Sequence, residues 1–237
     1  MSGKRTESPR FYTGRHGMVS YANQGDIGVV AECCQSFVLD NGAFSIWRRG
    51  GALDVKGYID WVTQWHRHPG FDWCLIPDVI DGSEAQNKSL VESWPSNIRG
   101  VPVWHFNESL DYLAYLVHTF DFIALGSAGA YATVGNKAWW GRAAEAMDVI
   151  CLDGCPMTKL HGLRMLNPKI FTRLPLASAD STNAAQNAGS LSRFGQYKPP
   201  TSGQRAEVIA ERIEQYNSAP VWLNELQQQE ELVICGQ

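Results

Sequence analysis

Several short apolar runs in this chain end the same way, in a carboxylate or an imidazole followed by small or polar residues. Leu176-Ala177-Ser178-Ala179 leads to Asp180, and Ser181-Thr182-Asn183-Ala184-Ala185-Gln186-Asn187 follows. Gln35-Ser36-Phe37-Val38-Leu39 leads to Asp40, followed by Asn41-Gly42-Ala43-Phe44-Ser45. Phe71 to Ile76 runs into Pro77-Asp78, and Val101 to Trp104 leads to His105 and then Glu108. Phe122-Ile123-Ala124-Leu125 ends at Gly126-Ser127, and Lys159-Leu160 at His161-Gly162. A strand that stops in this way delivers one functional group to its carboxyl end and leaves open backbone beside it. Three Asp residues gathered on one rim repel one another unless a substrate, a metal or a shared proton offsets the charge. Two chemistries use such a set. One is metal-assisted hydrolysis with Asp and His as ligands. The other is glycosyl transfer, in which one carboxylate attacks an anomeric carbon and a second serves as acid or base.

Each residue also has a plainer use. Asp40 before Asn-Gly suits a turn, and Asp180 before Ser-Thr-Asn suits a helix N-cap. Pro77-Asp78 suits the approach to a helix at Ser83, with Asp81 as the rival carboxylate. Phe44 fits a core position as well as a base platform. His105 and His161 fit satisfied polar residues beside a pocket. His66 and His68 fall at a helix end, where cations are favoured, and Trp139-Trp140 reads as helix packing.

The elements that must position these groups alternate. Phe11-Tyr12-Thr13 reads as a first short strand with Gly14 to Gly17 as its turn, and Gly28 to Ala31 as a weak apolar run. After the Gln35–Asp40 strand, Asn41 to Ser45 reads as a tight loop. Asp54 opens a helix with Tyr58, Ile59, Trp61, Val62 and Trp65 on one side, which Pro69-Gly70 ends. Strands at Phe71–Ile76, Val101–Phe106, Phe122–Leu125, Lys159–Leu163 and Leu176–Asp180 are interleaved with helices from Ser83, Leu110, Trp139 and Gln204. Ser190 to Gly203 reads as a long loop. Strand–helix alternation of this kind indicates a parallel α/β architecture, and the expected fold is a (β/α)8 TIM-barrel-like single domain over residues 11–237 behind a flexible arm at 1–10. Active sites of such barrels lie at the carboxyl ends of the strands. No G-x-G-x-x-G follows the first strand and no P-loop is present, which argues against a nucleotide-binding fold.

The chain has 237 residues, 44% of them hydrophobic, with nine Trp, nine Phe and eight Tyr, enough for a large core in one domain. No apolar run approaches the roughly 20 residues of a membrane span, and Met1 to Arg10 is polar, unlike a secretory leader. A cytoplasmic protein without membrane contact is the expectation. The net charge of −4 argues against tight non-specific nucleic-acid binding, while Arg48, Arg49, Lys56, Arg142, Arg164 and Arg173 leave room for a local basic face. The six cysteines show no disulfide framework. Cys151, Cys155 and His161 make C-x3-C-x5-H, the nearest approach to a metal box, but no fourth ligand is evident. No metal is assigned.

The ordered set of motifs resembles the tRNA-guanine transglycosylases. Leu39-Asp40-Asn41-Gly42-Ala43-Phe44-Ser45 is similar to their D-S-G-G-[FY]-Q loop, and Pro77-Asp78 falls where they carry a second base-recognising Asp. Ala124-Leu125-Gly126-Ser127 resembles their Gly-rich strand end. Asp180 to Asn187 resembles the segment in which the nucleophilic Asp precedes T-R-N-A-R-N. The zinc box that should follow the nucleophile is missing, since only Cys235 lies downstream, and the chain is short. Both departures remove parts associated with tRNA docking. The remainder, with His161-Gly162-Leu163-Arg164-Met165-Leu166, is closer to the compact phage branch, the DpdA proteins, which exchange guanine in DNA for a 7-deazaguanine base such as preQ0.

That resemblance implies the following roles. Asp180 attacks C1′ of the target deoxyguanosine and forms a covalent glycosyl-enzyme. Asp40 moves the proton at the ring nitrogen of the base. Asp78 accepts hydrogen bonds from the base edge as an ionised carboxylate. Phe44 stacks on the purine, and Asn41, Gly126, Ser127, His161 and Gly162 line the base site. The target nucleotide is flipped or single-stranded. No cofactor is required, and the partners are DNA, the free deazaguanine base and, given the shortage of positive charge, an accessory protein. The rivals are a tRNA-guanine transglycosylase, a metal-dependent TIM-barrel hydrolase using Asp40, Asp78, His105 and His161, and a catalytically inactive barrel that binds nucleic acid or protein.

Overall fold

The computed structural model describes residues 8–223. The polar tail around 225–231, Cys235 and most of the expected arm lie outside the described residues. The architecture is mixed α/β with parallel sheets, and the chain divides into two compact units, Met1–Val103 with Ser181–Gln215 and Trp104–Asp180 with Tyr216–Gln237.

In the first unit, helix α1 (Ser8–Tyr12) precedes β1 (His16–Ser20), α2 (Ile27–Cys33), β2 (Ser36–Asp40), α3 (Ala43–Trp47), α4 (Val55–Trp65), β3 (Phe71–Leu75), α5 (Glu84–Glu92) and β4 (Gly100–Val101). The four strands form one sheet in the order β1-β2-β3-β4, every pair parallel. Parallel neighbours need a crossover, and helices supply it. Helix α4 shows why these residues fold as they do. Asp54 caps its start by accepting from the Gly57 N–H at 2.9 Å. Tyr58, Trp61 and Val62 fall on one face at i, i+3 and i+4, and all three are buried. They pack with Val19, Phe37, Leu39 and Cys74 of the sheet and Val30 of α2. Burial of each such side chain stabilises the unit by roughly 2 kcal/mol.

The second unit continues with β5 (Val103–His105), α6 (Leu110–Thr119), β6 (Phe122–Gly126), α7 (Lys137–Ile150), the short hairpin β7 (Cys151–Leu152) and β8 (Cys155–Pro156), β9 (Lys159–Gly162), α8 (Pro168–Phe171) and β10 (Ser178–Ala179). Its sheet runs β10-β9-β6-β5, with β6-β9 and β9-β10 parallel. Leu113, Leu116, Ile123, Leu125, Trp139 and Met147 are fully buried, and the Phe106 ring stacks on Trp139 with centroids 5.1 Å apart. The chain then returns to the first unit through α9 (Asn183–Asn187) and α10 (Ser202–Glu214).

The alternation expected from the sequence is present, with local corrections. Phe11-Tyr12-Thr13 is not a strand. Phe11 and Tyr12 lie in α1, which closes with the Thr13 N–H donating to Pro9 O at 3.0 Å. Ser8–Arg10 therefore belong to a helix, and Arg10 Nε pairs with Glu207 of α10 at 2.8 Å. The Gly28–Ala31 run lies in α2, and the loop after Asp40 becomes α3 within two residues. Val101–Phe106 is two strands in two different sheets, because Pro102 has no N–H to continue a ladder. Of Leu176–Asp180 only Ser178–Ala179 pairs as a strand. The Ser190–Gly203 stretch holds a single 3-10 turn at Leu191–Phe194, and α10 begins at Ser202.

Candidate functional site

In the first unit the carboxyl ends of β1, β2 and β3 carry Ser20, Asp40 and Asp78. Parallel register sets Ser20 beside Asp40. Asp40 Oδ1 accepts the Gly42 N–H at 3.2 Å, closing a tight turn. Gly42 is required there. Its φ is +74°, and a Cβ would lie 2.7 Å from Ala22 N.

Asn41 ties the ends of β2 and β3 together. Its Nδ2 donates to Ile76 O at 2.9 Å and to Asp78 Oδ1 at 2.6 Å, and its Oδ1 accepts the Ala43 N–H at 2.8 Å. Both Nδ2 partners are acceptors, which fixes the amide orientation. Asn41 and Asp78 are 2% and 6% exposed, so Asp78 is a carboxylate sunk into the unit and held by a donor. Burying a carboxylate costs free energy unless donors meet its oxygens. The segment after it is held by α5, where buried Asn87 accepts the Val79 N–H at 2.8 Å. Below, Tyr58 donates to Leu75 O at 2.7 Å from complete burial, which pushes its phenol well above the usual range.

Asp81, the rival to Asp78, is exposed and accepts from the Trp47 indole. Phe44 is half-buried, 5.9 Å from the Trp47 ring, with the Arg48 guanidinium 5.9 Å over its own ring.

In the second unit the carboxyl ends of β6, β9 and β10 carry Gly126-Ser127, His161-Gly162 and Asp180. Register sets Gly162 beside Leu125 and His161 beside Ser178. Ser127 is buried and its Oγ accepts the Trp139 indole N–H at 2.9 Å, while its carbonyl accepts from the Arg164 guanidinium. The His161 ring, 3% exposed, meets Ser178 Oγ through Nδ1 at 2.8 Å and lies 3.5 Å from Asp180 Oδ1 through Nε2. Asp180 Oδ1 also accepts the Arg164 N–H at 2.9 Å. Arg164 reaches that position with φ +61°, a left-handed conformation that costs a side-chain-bearing residue on the order of 1 kcal/mol. The Asp180 N–H donates to Gly162 O at 3.2 Å. A Cβ on Gly162 would lie 2.8 Å from Leu176 and Met165, so this glycine serves close packing. His105 is buried with Glu108, whose Oε2 accepts the His105 N–H at 2.7 Å and lies 3.7 Å from its Nδ1.

Within the first unit the structure brings together Asp40, Asn41 and Asp78, with Phe44 on the adjoining α3. Within the second it brings together His161, Gly162 and Asp180, with Gly126 and Ser127 on the next strand. Sequence reasoning missed Ser178, Arg164, Ser20 and Asn87. The one available signal was that Ser178 sits two residues before Asp180. The C-x3-C-x5-H box does not assemble. Cys151 pairs with Pro156 and Leu152 with Cys155, so the two thiols lie on opposite faces of the hairpin. Among the described residues no three His, Cys, Asp or Glu side chains group as metal ligands, and no helix is long and apolar enough to cross a membrane.

No family model, curated protein or solved structure matches this chain.

Proposed function

We propose that the chain is a DNA guanine transglycosylase that exchanges guanine for a 7-deazaguanine base such as preQ0 through a covalent intermediate on Asp180. The observation that carries the reading is where the motif residues fall. Asp40, Asp78 and Asp180 each stand at or just beyond the carboxyl end of a parallel strand, within the ordered motif series similar to that family. The (β/α)8 barrel expected of the family goes with this reading, supported by the strand–helix alternation, as does a cytoplasmic location.

Asp180 supplies the nucleophile. Its attack on C1′ of deoxyguanosine releases guanine, and the incoming deazaguanine attacks C1′ in turn. Asp40 carries the proton that leaves the incoming base and is gained by the departing one. Asp78, held through Oδ1 by the Asn41 amide, accepts from the N1–H and amino edge of the base. Phe44 offers a ring face for stacking, and Gly126 and Ser127 offer backbone groups to the base. The target nucleotide leaves the stack, because C1′ is shielded in a duplex. The exchange makes one glycosidic bond for each that it breaks, so it draws on no external cofactor.

The test is base exchange. Purified protein is incubated with preQ0 and either duplex DNA or tRNA, and the nucleic acid is digested to nucleosides for mass spectrometry. A deazaguanine deoxynucleoside that disappears with Asp180→Ala supports the reading. Modified tRNA instead keeps the chemistry and replaces the substrate, and absence of exchange on both overturns it.

A further inference from the structure

We propose that Ser178 and His161 are positioning residues that fix the carboxylate of Asp180, and that Asp180 reacts through Oδ2. The reaction rests on the transglycosylase reading; the proton placement does not. Oδ1 accepts the Arg164 N–H at 2.9 Å, and the buried His161 Nε2 faces it at 3.5 Å, short of a hydrogen bond. Among the described residues Oδ2 takes no hydrogen bond, and the Asp180 side chain is 23% exposed. The carboxylate is thus pinned by one oxygen and presents the other.

The proton inventory follows from the same contacts. A carboxylate oxygen is an acceptor, so a bare Nε2 facing it would set lone pair against lone pair. Nε2 therefore carries the hydrogen. In a neutral ring Nδ1 is then an acceptor, and Ser178 Oγ–H donates to it across 2.8 Å. Parallel pairing of Ser178 with His161 puts both side chains on one face of the sheet. At 3.5 Å a small rotation of either side chain brings Nε2 and Oδ1 within hydrogen-bond distance.

The step balances. An Oδ2 lone pair forms the bond to C1′ while the C1′–N9 bond breaks and its electron pair leaves with guanine, which takes up a proton. The incoming base then attacks C1′, loses its N9 proton, and returns the C1′–Oδ2 pair to the carboxylate. Throughout, the Arg164 N–H holds Oδ1 and the His161 ring flanks it.

The experiment uses the full chain labelled with 15N-histidine, plus His161→Gln, His161→Asn and Ser178→Ala. Nitrogen NMR is expected to show His161 protonated at Nε2 and bare at Nδ1, with that preference lost in Ser178→Ala. In base exchange, His161→Gln, whose amide nitrogen reaches the Nε2 position, keeps most of the wild-type kcat. His161→Asn, which falls short, loses on the order of 100-fold in kcat with little change in KM. A wild-type ring protonated at Nδ1, or His161→Asn and Ser178→Ala with wild-type kcat, overturns the proposal while leaving the transglycosylase reading intact. No exchange by the wild type overturns that reading and the role of Oδ2, and the nitrogen spectrum still decides the proton placement.

Discussion

Asn41 is the joint of the first unit's candidate site, and removing it has a calculable cost. Asn41→Ala deletes three hydrogen bonds, to Ile76 O, Asp78 Oδ1 and the Ala43 N–H. The bond to the carboxylate is charge-assisted and stabilises by about 2 kcal/mol net, and the other two by about 1 kcal/mol each. Partial rehydration reduces the sum, so a loss of about 3 kcal/mol is expected, or a Tm lower by about 6–12 °C for a chain of this size. Asn41→Asp sharpens the test, because it puts a second carboxylate against Asp78. At oxygen separations of about 3 Å, two charges repel by roughly 5 kcal/mol at an effective dielectric near 20. The pair then shares a proton, and one folded-state pKa rises above the unfolded value of about 3.9. A raised folded pKa contributes stability that is lost as pH rises through it. The Tm deficit of Asn41→Asp against wild type must therefore be largest at pH 7 and shrink toward pH 5. Thermal unfolding followed by circular dichroism at both pH values reads this directly. A deficit that does not change with pH, or an Asn41→Ala Tm within about 2 °C of wild type, refutes the tether.

Three further outcomes are expected. Gly42→Ala forces a Cβ to 2.7 Å from Ala22 N at φ +74°, and urea unfolding should show a loss of about 1–3 kcal/mol. Ser83→Ala removes the capping box in which Ser83 Oγ accepts from Gln86 N and the Gln86 side chain accepts from Ser83 N; the same assay should show about 1 kcal/mol. Burial pushes the thiols of Cys74 and Cys151 up to about 12, so both stay protonated at pH 8, and peptide mapping after iodoacetamide treatment should find exposed Cys155 alkylated before either.

The sequence was most legible where one element carried its own signals. Asp54, the apolar face of α4 and Pro69-Gly70 defined that helix without tertiary help, and Ser83 and Leu110 were read at the starts of α5 and α6, where Ser83 and Ser109 are the caps. Strands β2, β3 and β6 followed from apolar runs bounded by turn residues. Pattern failed where short elements depend on neighbours. Helix α1 has five residues and is held by the Arg10–Glu207 pair with α10. The Val101–Phe106 run is uniformly apolar, and only the missing Pro102 N–H divides it. At the candidate site the sequence marked the acids but not what holds them. Asn41 was read as a base contact, and both of its amide hydrogens are spent inside the protein. His161 was read the same way, and its partners are set by β9-β10 register and by the left-handed Arg164, which no local pattern encodes.

A transglycosylase of this kind attaches Asp180 covalently to the sugar of the target nucleotide, and trapping that species tests the proposal at its root. Wild-type protein is mixed with a guanine-containing DNA substrate without any incoming base, quenched in acid, and mapped by peptide mass spectrometry. A nucleotide-mass adduct is expected on the peptide carrying Asp180, absent in Asp180→Asn and discharged by addition of preQ0. An adduct on another residue, or base exchange that proceeds normally in Asp180→Asn, contradicts it.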